Sequence, residues 1–239
     1  MKLDLVVLAA HPDDAEMSCG GTIASAIAQG KKVGIIDFTK GELGTRGTPE
    51  IRASEAAAAS KILNISAREN LGFRDGFFKN DEEHQLKLIA AIRRYQPDIV
   101  LANAIEDRHP DHGKGAALAV DACFYSGLRM IHTFETDGTP QKEWRPKALY
   151  HYIQDRFIKP DLVVDISDYW EVKEASIRAY KSQFHDPNST EPESYLTSPE
   201  FLEFLKARSQ EMGHMIGAKF GEGYTKTKII GIKTLFDLI

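Results

Sequence analysis

Features that mark several protein classes are scarce or absent in this chain of 239 residues. Its two cysteines, Cys19 and Cys123, lie far apart and form no CxxC pair, so a disulfide scaffold is not expected. No apolar stretch approaches the roughly 20 residues that cross a bilayer. The short apolar run in MKLDLVVLAAH leads directly into charged HPDD, without the cleavage pattern of a secretory signal. We therefore expect a soluble, cytoplasmic protein with no membrane partner.

An excess of positive charge is also missing. Lys and Arg total 30 against 35 Asp and Glu, which gives a net charge of -5. Because a surface that binds nucleic acid is normally basic, we expect no nucleic-acid partner. A small anionic ligand stays compatible with this balance, since one pocket can be locally positive on an acidic protein.

The composition and patterning are those of an ordinary globular α/β chain, with 42% hydrophobic and 27% charged residues. Apolar runs alternate with helix-compatible patterns through roughly the first 130 residues, which is typical of a parallel sheet covered by helices. No internal repeat or linker interrupts the pattern. We predict a single domain over residues 1–239 with a Rossmann-like α/β fold, a mostly parallel sheet and helices on both faces.

The element boundaries follow from apolar runs and helix stop signals. Strands are predicted at 3–10, 33–39, 70–73, 98–103, 149–153 and 162–166, and the apolar runs 3–10 and 98–103 suit strands buried within the sheet. Helical patterns lie at 16–29, 50–63, 82–95, 170–183 and 199–219. The polar, proline-containing stretch 185–199 is predicted to be a mobile loop.

Two short motifs, His11-Pro-Asp-Asp and His109-Pro-Asp-His, each follow a predicted parallel strand. In open α/β sheets, ligands bind at the carboxyl ends of the strands, so these segments are expected to converge. A catalytic zinc site uses three N or O ligands and keeps one position open for water. A His-Asp pair from the first motif and one histidine from the second supply that number. Carboxylates then remain to act as a general base. The alternative is that both strings only cap helices.

The residues around these motifs resemble the LmbE-like (PIG-L) de-N-acetylase superfamily. The resemblance is carried by AHPDD after the first strand, GGT at a helix start and EDRHPDH, and by TKGE, RASE and LGFRDG between them. It extends along most of the chain. The nearest match within the superfamily is the bacillithiol-pathway branch, which acts on N-acetylglucosaminyl malate; GTPEIR, EDRHPDH and ESYLT carry that narrower placement.

The resemblance implies a zinc-dependent hydrolase that removes the N-acetyl group from an amino sugar. It implies one Zn²⁺ per chain, held by His11, Asp14 and His112. It makes Asp13 the base that takes a proton from water, and His109 the partner of the developing oxyanion or the leaving amine. Asp111 would orient and polarise His109, as carboxylates do for imidazoles. The branch also implies a homo-oligomer, a trimer or a hexamer.

Five further residues acquire substrate-binding roles through the resemblance. Arg52 and Arg108 would hold a substrate carboxylate, because the guanidinium fork matches that geometry. Tyr195 would help to bind the oxyanion from the predicted loop, Arg145 would line the pocket, and Glu42 would contact sugar hydroxyls or cap a turn. Without the family, an ion pair with nearby Glu55 explains Arg52, and an exposed loop aromatic explains Tyr195.

Three alternatives stay open at this point. A non-hydrolytic nucleotide-binding α/β protein would fit the sheet pattern, but no GxGxxG follows the first strand and no P-loop string is present. A two-metal phosphoesterase would need more ligands than the motifs clearly supply. A deacetylase of another N-acetyl sugar, such as chitobiose, a mycothiol-type precursor or an antibiotic intermediate, differs only in substrate. The sequence also leaves open other divalent metals, since such sites accept several.

Overall fold

Seven strands form one sheet in the spatial order β3-β2-β1-β4-β5-β7-β6. The computed structural model describes residues 1–185 and 189–238. The strands are β1 Leu5–Ala9, β2 Val33–Thr39, β3 Ala67–Phe73, β4 Ile99–Ala102, β5 Ala148–Tyr152, β6 Leu162–Asp165 and β7 Gly221–Lys226. The first five strands in the spatial order pair in parallel, whereas β7 pairs antiparallel with both β5 and β6. The predicted mostly parallel Rossmann-like sheet is confirmed.

Helices cover both faces of the sheet. This is expected because successive side chains of β1 point to opposite faces and all of them are buried. Val6 and Leu8 of β1 pack with the third and fourth helices, whereas Leu5, Val7 and Ala9 pack with the first. The helices are α1 Asp14–Ala28, α2 Pro49–Leu63, α3 Glu82–Tyr95, α4 Pro110–Tyr125, α5 Trp170–Arg178 and α6 Pro199–His214. None of the described helices is both long and apolar enough to span a bilayer.

The C-terminal elements depart from the sequence pattern. Helix α5 ends at Arg178 rather than at 183, because the Ser182 N–H donates to Glu55 Oε1 (2.7 Å) and not to its own helix. Helix α6 ends at His214 rather than at 219. Shortly after this end, Gly217 adopts a positive φ of 75° and turns the chain toward β7. The predicted loop 185–199 includes residues 186–188, which lie outside the described residues; its remainder contains the short 3-10 helix Tyr195–Thr197.

The polar strand β7 is buried because one of its side chains caps a break in the middle of α1. Cys19 leaves the helical conformation (φ -142°, ψ 20°), which frees the backbone N–H groups of the next turn. Glu222 of β7 accepts hydrogen bonds from the N–H groups of Gly21 (2.9 Å) and Thr22 (2.7 Å) and so caps the second half of α1. Lys173 neutralises the same carboxylate at 2.6 Å. This ion pair holds the cap in place and so ties β7 to the second half of α1.

Removing one partner of this ion pair is expected to destabilise the fold strongly. The side chains of Lys173 and Glu222 are 3% and 1% exposed, so Glu222→Ala leaves a buried ammonium group without its counter-ion. We expect a loss of about 3–5 kcal/mol in the free energy of unfolding, measured by urea denaturation.

Lys87→Ala is the matched control, because it breaks an ion pair with Glu83 in which the side chains are 51% and 71% exposed. That variant should lose no more than about 0.5 kcal/mol. A Glu222→Ala protein as stable as the Lys87→Ala protein would contradict the capping role of the buried pair.

Candidate metal centre

The sheet brings the two histidine–aspartate motifs together. Strand β1 pairs directly with β4, so the segments that follow their carboxyl ends lie side by side at the start of α1 and α4. The ring centroids of His11 and His109 are 4.6 Å apart, those of His109 and His112 are 5.2 Å apart, and those of His11 and His112 are 5.6 Å apart. Ligand atoms of the three rings all lie within 4.8 Å of one another.

In two of the three histidines, one ring nitrogen is hydrogen-bonded to a carboxylate. His11 Nε2 lies 3.0 Å from Asp75 Oδ1 and 3.5 Å from Asp111 Oδ2. His112 Nδ1 lies 2.5 Å from Asp107 Oδ2. A carboxylate in this position fixes the tautomer and the ring orientation of a metal-binding histidine and raises its basicity. The ring nitrogens left to bind a metal ion are therefore Nδ1 of His11 and Nε2 of His112.

Both of those nitrogens face Asp14. Its Oδ2 is 3.6 Å from His11 Nδ1, and its Oδ1 is 3.1 Å from His112 Nε2. Two imidazole nitrogens and a carboxylate suit a divalent transition metal such as zinc. Besides the three histidines, His11, Asp75 and Asp111 form a second group whose ligand atoms lie within 4.8 Å of one another. In that group, however, Asp111 already accepts a hydrogen bond from the Gly76 N–H (2.8 Å) and pairs with Lys114 (2.9 Å). We therefore assign its carboxylate to positioning His11 and not to binding the metal.

The electrostatics of the three residues favour a positive charge between them. Burial lowers the pKa of His112, but the Asp14 and Asp107 carboxylates outweigh it and raise that pKa to about 9. Burial raises the pKa of Asp14, but His112 and His11 bring it well below its usual range. The carboxylates around the two rings therefore favour positive charge at this position.

Asp13 lies beside this cluster in a strained backbone conformation. Its φ of 111° is in the region that non-glycine residues rarely adopt, which costs about 1–3 kcal/mol and is most common at functional sites. Burial raises the pKa of its carboxyl to about 7, against the opposing effect of Arg52. Arg52 Nη2 donates to Asp13 Oδ2 at 3.0 Å. A carboxylate with this pKa can take and return a proton near neutral pH.

His109 is half-buried and is set up as a neutral donor. The backbone N–H of Asp111 donates to its Nδ1 at 3.2 Å, so a neutral ring carries its proton on Nε2. Burial lowers the pKa of His109, and the His11 and His112 rings lower it further. The Asp111 carboxylate, expected from the resemblance to polarise His109, instead contacts His11, Gly76 and Lys114. The contact that orients His109 is made by the Asp111 main chain.

Three of the five predicted substrate-binding residues are engaged elsewhere. Arg52 is buried and donates to Asp13 and to the carbonyl of Pro12 (2.5 Å), so it positions Asp13 and is not free for a ligand. Glu42 accepts from the Asp75 N–H (2.8 Å) and braces a turn. Arg145 donates to the carbonyl of Phe124 (2.9 Å). Phe124 lies near the end of α4 that is opposite the motif, so the fold does not bring Arg145 to the cluster within one chain.

Arg108 and Tyr195 form the rim of the site. The Arg108 guanidinium stacks 4.1 Å over the Tyr195 ring. The Tyr195 hydroxyl donates to Asp155 Oδ1 at 2.7 Å, and Arg108 Nε lies 3.4 Å from Asp155 Oδ2. Both side chains are about half exposed, with Arg108 at 46% and Tyr195 at 50%. They border an open cleft of about 510 Å³ that also exposes the three motif histidines.

Two amide side chains that the sequence analysis did not identify hold Asp14. Asn103 Nδ2 donates to Asp14 Oδ2 at 3.0 Å, and Gln154 Nε2 donates to Asp14 Oδ1 at 3.1 Å. Asn103 ends the apolar run of β4, and Gln154 follows β5. Their position at the same sheet edge could have suggested Asn103. Nothing in the local sequence points to Gln154, because its role depends on β5 pairing with β4. The supporting roles of Asp75 and Asp107 were likewise not predicted.

Comparison with known proteins agrees with the family resemblance found in the sequence. Residues 6–123 match the family model described as PIG-L, GlcNAc-PI de-N-acetylase. The diacetylchitobiose deacetylase of Thermococcus kodakarensis is 28% identical over 225 residues, which cover 89% of this chain and 79% of that protein. The crystal structure of the conserved protein TT1542 from Thermus thermophilus has 37% identity and a TM-score of 0.84, with 97% of this chain and 98% of that chain covered.

Two other relatives show how far activities differ around this fold. The 4-oxalmesaconate hydratase of Pseudomonas putida is 26% identical over 205 residues, covering 75% of this chain and 74% of that protein. A protein of Bacillus subtilis named as a probable N-acetyl-alpha-D-glucosaminyl L-malate deacetylase is 27% identical over 197 residues, covering 77% of this chain and 84% of that protein. The matched model and these relatives confirm the resemblance at the level of the superfamily. The chain belongs to the PIG-L (LmbE-like) superfamily of de-N-acetylases, which are hydrolases.

Proposed function

We propose that this protein is a zinc-dependent hydrolase that removes the N-acetyl group from a GlcNAc-type glycoside. The observation that carries the proposal is the convergence of His11 Nδ1 and His112 Nε2 on the Asp14 carboxylate, with Asp13 beside them. His11, Asp14 and His112 would hold one metal ion per chain. When bound, zinc supplies a polarised amide carbonyl and a water molecule of lowered pKa.

The chain's own residues supply the proton transfers. Asp13, with its raised pKa, takes a proton from the attacking water as the carbonyl carbon becomes tetrahedral. The Nε2–H of neutral His109 donates to the oxygen on which negative charge develops. Asp13 then returns its proton to the nitrogen as the C–N bond breaks, which yields the free amine and acetic acid; the acid's proton then passes to the amine, giving acetate and an ammonium group. Arg52 keeps the Asp13 carboxylate aimed at the site throughout.

The substrate is proposed to be a polar amino-sugar glycoside, with N-acetylglucosaminyl malate as the specific candidate. The support is the resemblance of the chain to the bacillithiol branch and the position of Arg108 on the rim, where it can pair with the malyl carboxylate. The chain is also similar to the diacetylchitobiose deacetylase, and chitobiose carries no carboxylate. Diacetylchitobiose is therefore the alternative substrate.

Hydration of a carbon–carbon double bond is the second candidate, favoured by the similarity to 4-oxalmesaconate hydratase. A polycarboxylate substrate needs several free cations. Among the described residues that line the cleft, Arg46 donates to the carbonyls of Pro192 (2.7 Å) and Glu191 (3.1 Å), and Arg52 is held by Asp13. Arg108 is left as the exposed arginine, which favours an uncharged or singly charged substrate. Acetate release from amide substrates separates the two reactions.

We also propose that the chain forms a homo-oligomer, a trimer or a hexamer. The support is the resemblance, together with the exposed side chains of Phe124 (54%), Met130 (75%) and Phe134 (55%). Apolar side chains of this size are common where subunits meet. Light scattering on the purified chain measures the mass directly, and a monomer at micromolar concentration would contradict this part.

Substitutions in the first motif should separate metal binding from proton transfer. We expect His11→Ala to lose zinc and activity together, because one of three ligands is removed. Asp13→Asn should keep about one zinc per chain and lower kcat by about 10²–10⁴-fold, since only the base is lost. Metal analysis beside an acetate-release assay reads both. Loss of zinc from Asp13→Asn, or full zinc in His11→Ala, would reverse the assignment.

The carboxylate behind His112 should matter for metal affinity. Asp107→Ala releases the ring from its 2.5 Å contact, and we expect zinc affinity to fall by roughly 10–100-fold. The neighbouring Glu106→Ala is the control, because Glu106 is exposed and pairs only with Arg156 among its described side-chain partners. Titration against a chelating dye compares them. Equal affinities for the two variants would exclude the supporting role.

Arg108 tests the substrate class. If it pairs with the malyl carboxylate, Arg108→Ala should lower kcat/KM for N-acetylglucosaminyl malate by about 10–100-fold, the range for a charge-assisted hydrogen bond. The value for diacetylchitobiose should change less than about threefold, since no charged pair is lost. Arg145→Ala, which lies away from the cleft, should alter neither. Equal losses on both substrates would mean that Arg108 does not recognise a carboxylate.

A further inference from the structure

A second cavity lies behind the open cleft, between α6, β7 and the segment that follows β5. The two spaces share the side chains of Met17, Arg108, His112, Tyr195 and Leu196. His112, a proposed metal ligand, therefore borders both. Gln154, which holds Asp14, borders only the inner cavity. The inner cavity begins where the reacting carbonyl would lie.

The walls of the inner cavity are largely apolar. They are built by side chains from the segment after β5, the 3-10 helix and α6: Ile153, Leu196, Phe201, Phe204, Leu205 and Met212. The charged groups among them already have protein partners. Arg208 donates to the carbonyls of Gln154 (3.1 Å) and Asp155 (3.2 Å). Lys173 and Glu222 pair with each other at 2.6 Å and border the same space. The inner cavity therefore offers apolar contact area and charges that are already paired.

We propose that this inner cavity, with a volume of about 70 Å³, is an acyl-chain subsite, which accepts short N-acyl groups longer than acetyl in addition to acetyl. The inference rests on the proposed amide hydrolysis and extends it from an acetyl group to short N-acyl chains. The acyl carbonyl would stay at His112, with the sugar in the open cleft and the hydrocarbon chain behind Leu196.

The sugar cannot take the inner position without cost. Hydroxyls that face Phe201, Phe204 and Leu205 would find no hydrogen-bond partner on those side chains, and burying an unsatisfied hydroxyl is unfavourable. The open cleft, by contrast, is lined by histidines, aspartates and arginines that can accept and donate. The two ends of an N-acylated sugar thus match the two spaces in polarity.

An acetyl methyl group alone leaves most of these walls without a contact. Each additional methylene that enters an apolar site gains binding free energy, which corresponds to a factor of roughly three to four in affinity. The ion pair of Lys173 and Glu222 marks the limit of the apolar walls, because a hydrocarbon chain gains nothing beside it. Short chains should therefore be favoured over long ones.

The test uses the intact metal-loaded enzyme and methyl glycosides of N-acetyl-, N-butanoyl- and N-hexanoylglucosamine. Release of the free amine is measured, so the readout is the same for all chains. We expect kcat/KM for the butanoyl substrate to equal or exceed that for the acetyl substrate. We also expect the inhibition constant of butanoate to be roughly tenfold lower than that of acetate, since it has two more methylenes.

A filled cavity should remove this preference. Leu205→Trp places a larger side chain in the inner cavity, and it should lower the ratio of hexanoyl to acetyl activity by at least about tenfold. Leu202→Trp is the matched control on the same helix, because Leu202 borders a different depression and not the inner cavity. If Leu205→Trp does not fold, the inhibition series on the unmodified enzyme decides alone.

The outcomes separate the inference from the function on which it rests. Hydrolysis of the acetyl substrate, with butanoyl and hexanoyl substrates at least about tenfold slower and no gain in inhibition by butanoate, would overturn the acyl subsite and leave the deacetylase intact. Amine release from none of the glycosides, and from neither N-acetylglucosaminyl malate nor diacetylchitobiose, would overturn both.

Discussion

The site depends on carboxylates that hold the far side of two histidine rings. Asp75 on His11 and Asp107 on His112 leave one nitrogen of each ring facing inward, toward Asp14. Without these contacts, each ring could rotate or change tautomer, and the three ligands would have no common focus. Asn103 and Gln154 fix the carboxylate of Asp14 in the same way. The preorganisation thus lies in neutral and anionic groups behind the ligands.

The fold supplies the second constraint, which is the convergence of distant segments. Because β1 and β4 are neighbours, the motifs that follow them meet at one sheet edge, and β5 adds Gln154 beside them. The break in α1 at Cys19 and its capping by Glu222 connect this edge to the last strand. One buried ion pair therefore links the C-terminal strand to α1, the helix that follows the first motif.

The sequence predicted the sheet and the position of the site better than the roles of individual side chains. Strands buried on both faces are continuous apolar runs, so most of their positions could be identified. The polar strand β7 could not, since its burial follows from capping α1 and not from hydrophobicity. Arg52 is conspicuous in sequence, yet its partner Asp13 lies 39 residues away. The contacts of Asp111 with His11 and of Gln154 with Asp14 likewise depend on tertiary structure.

The central claim is that His11, Asp14 and His112 close around one divalent cation. A crystal of the protein soaked in zinc, with data collected at the zinc absorption edge, tests it most directly. The account predicts one anomalous peak per chain at about 2.0–2.2 Å from His11 Nδ1, an Asp14 oxygen and His112 Nε2. A peak between His11 Nε2, Asp75 and Asp111, or none at the motifs, would contradict it.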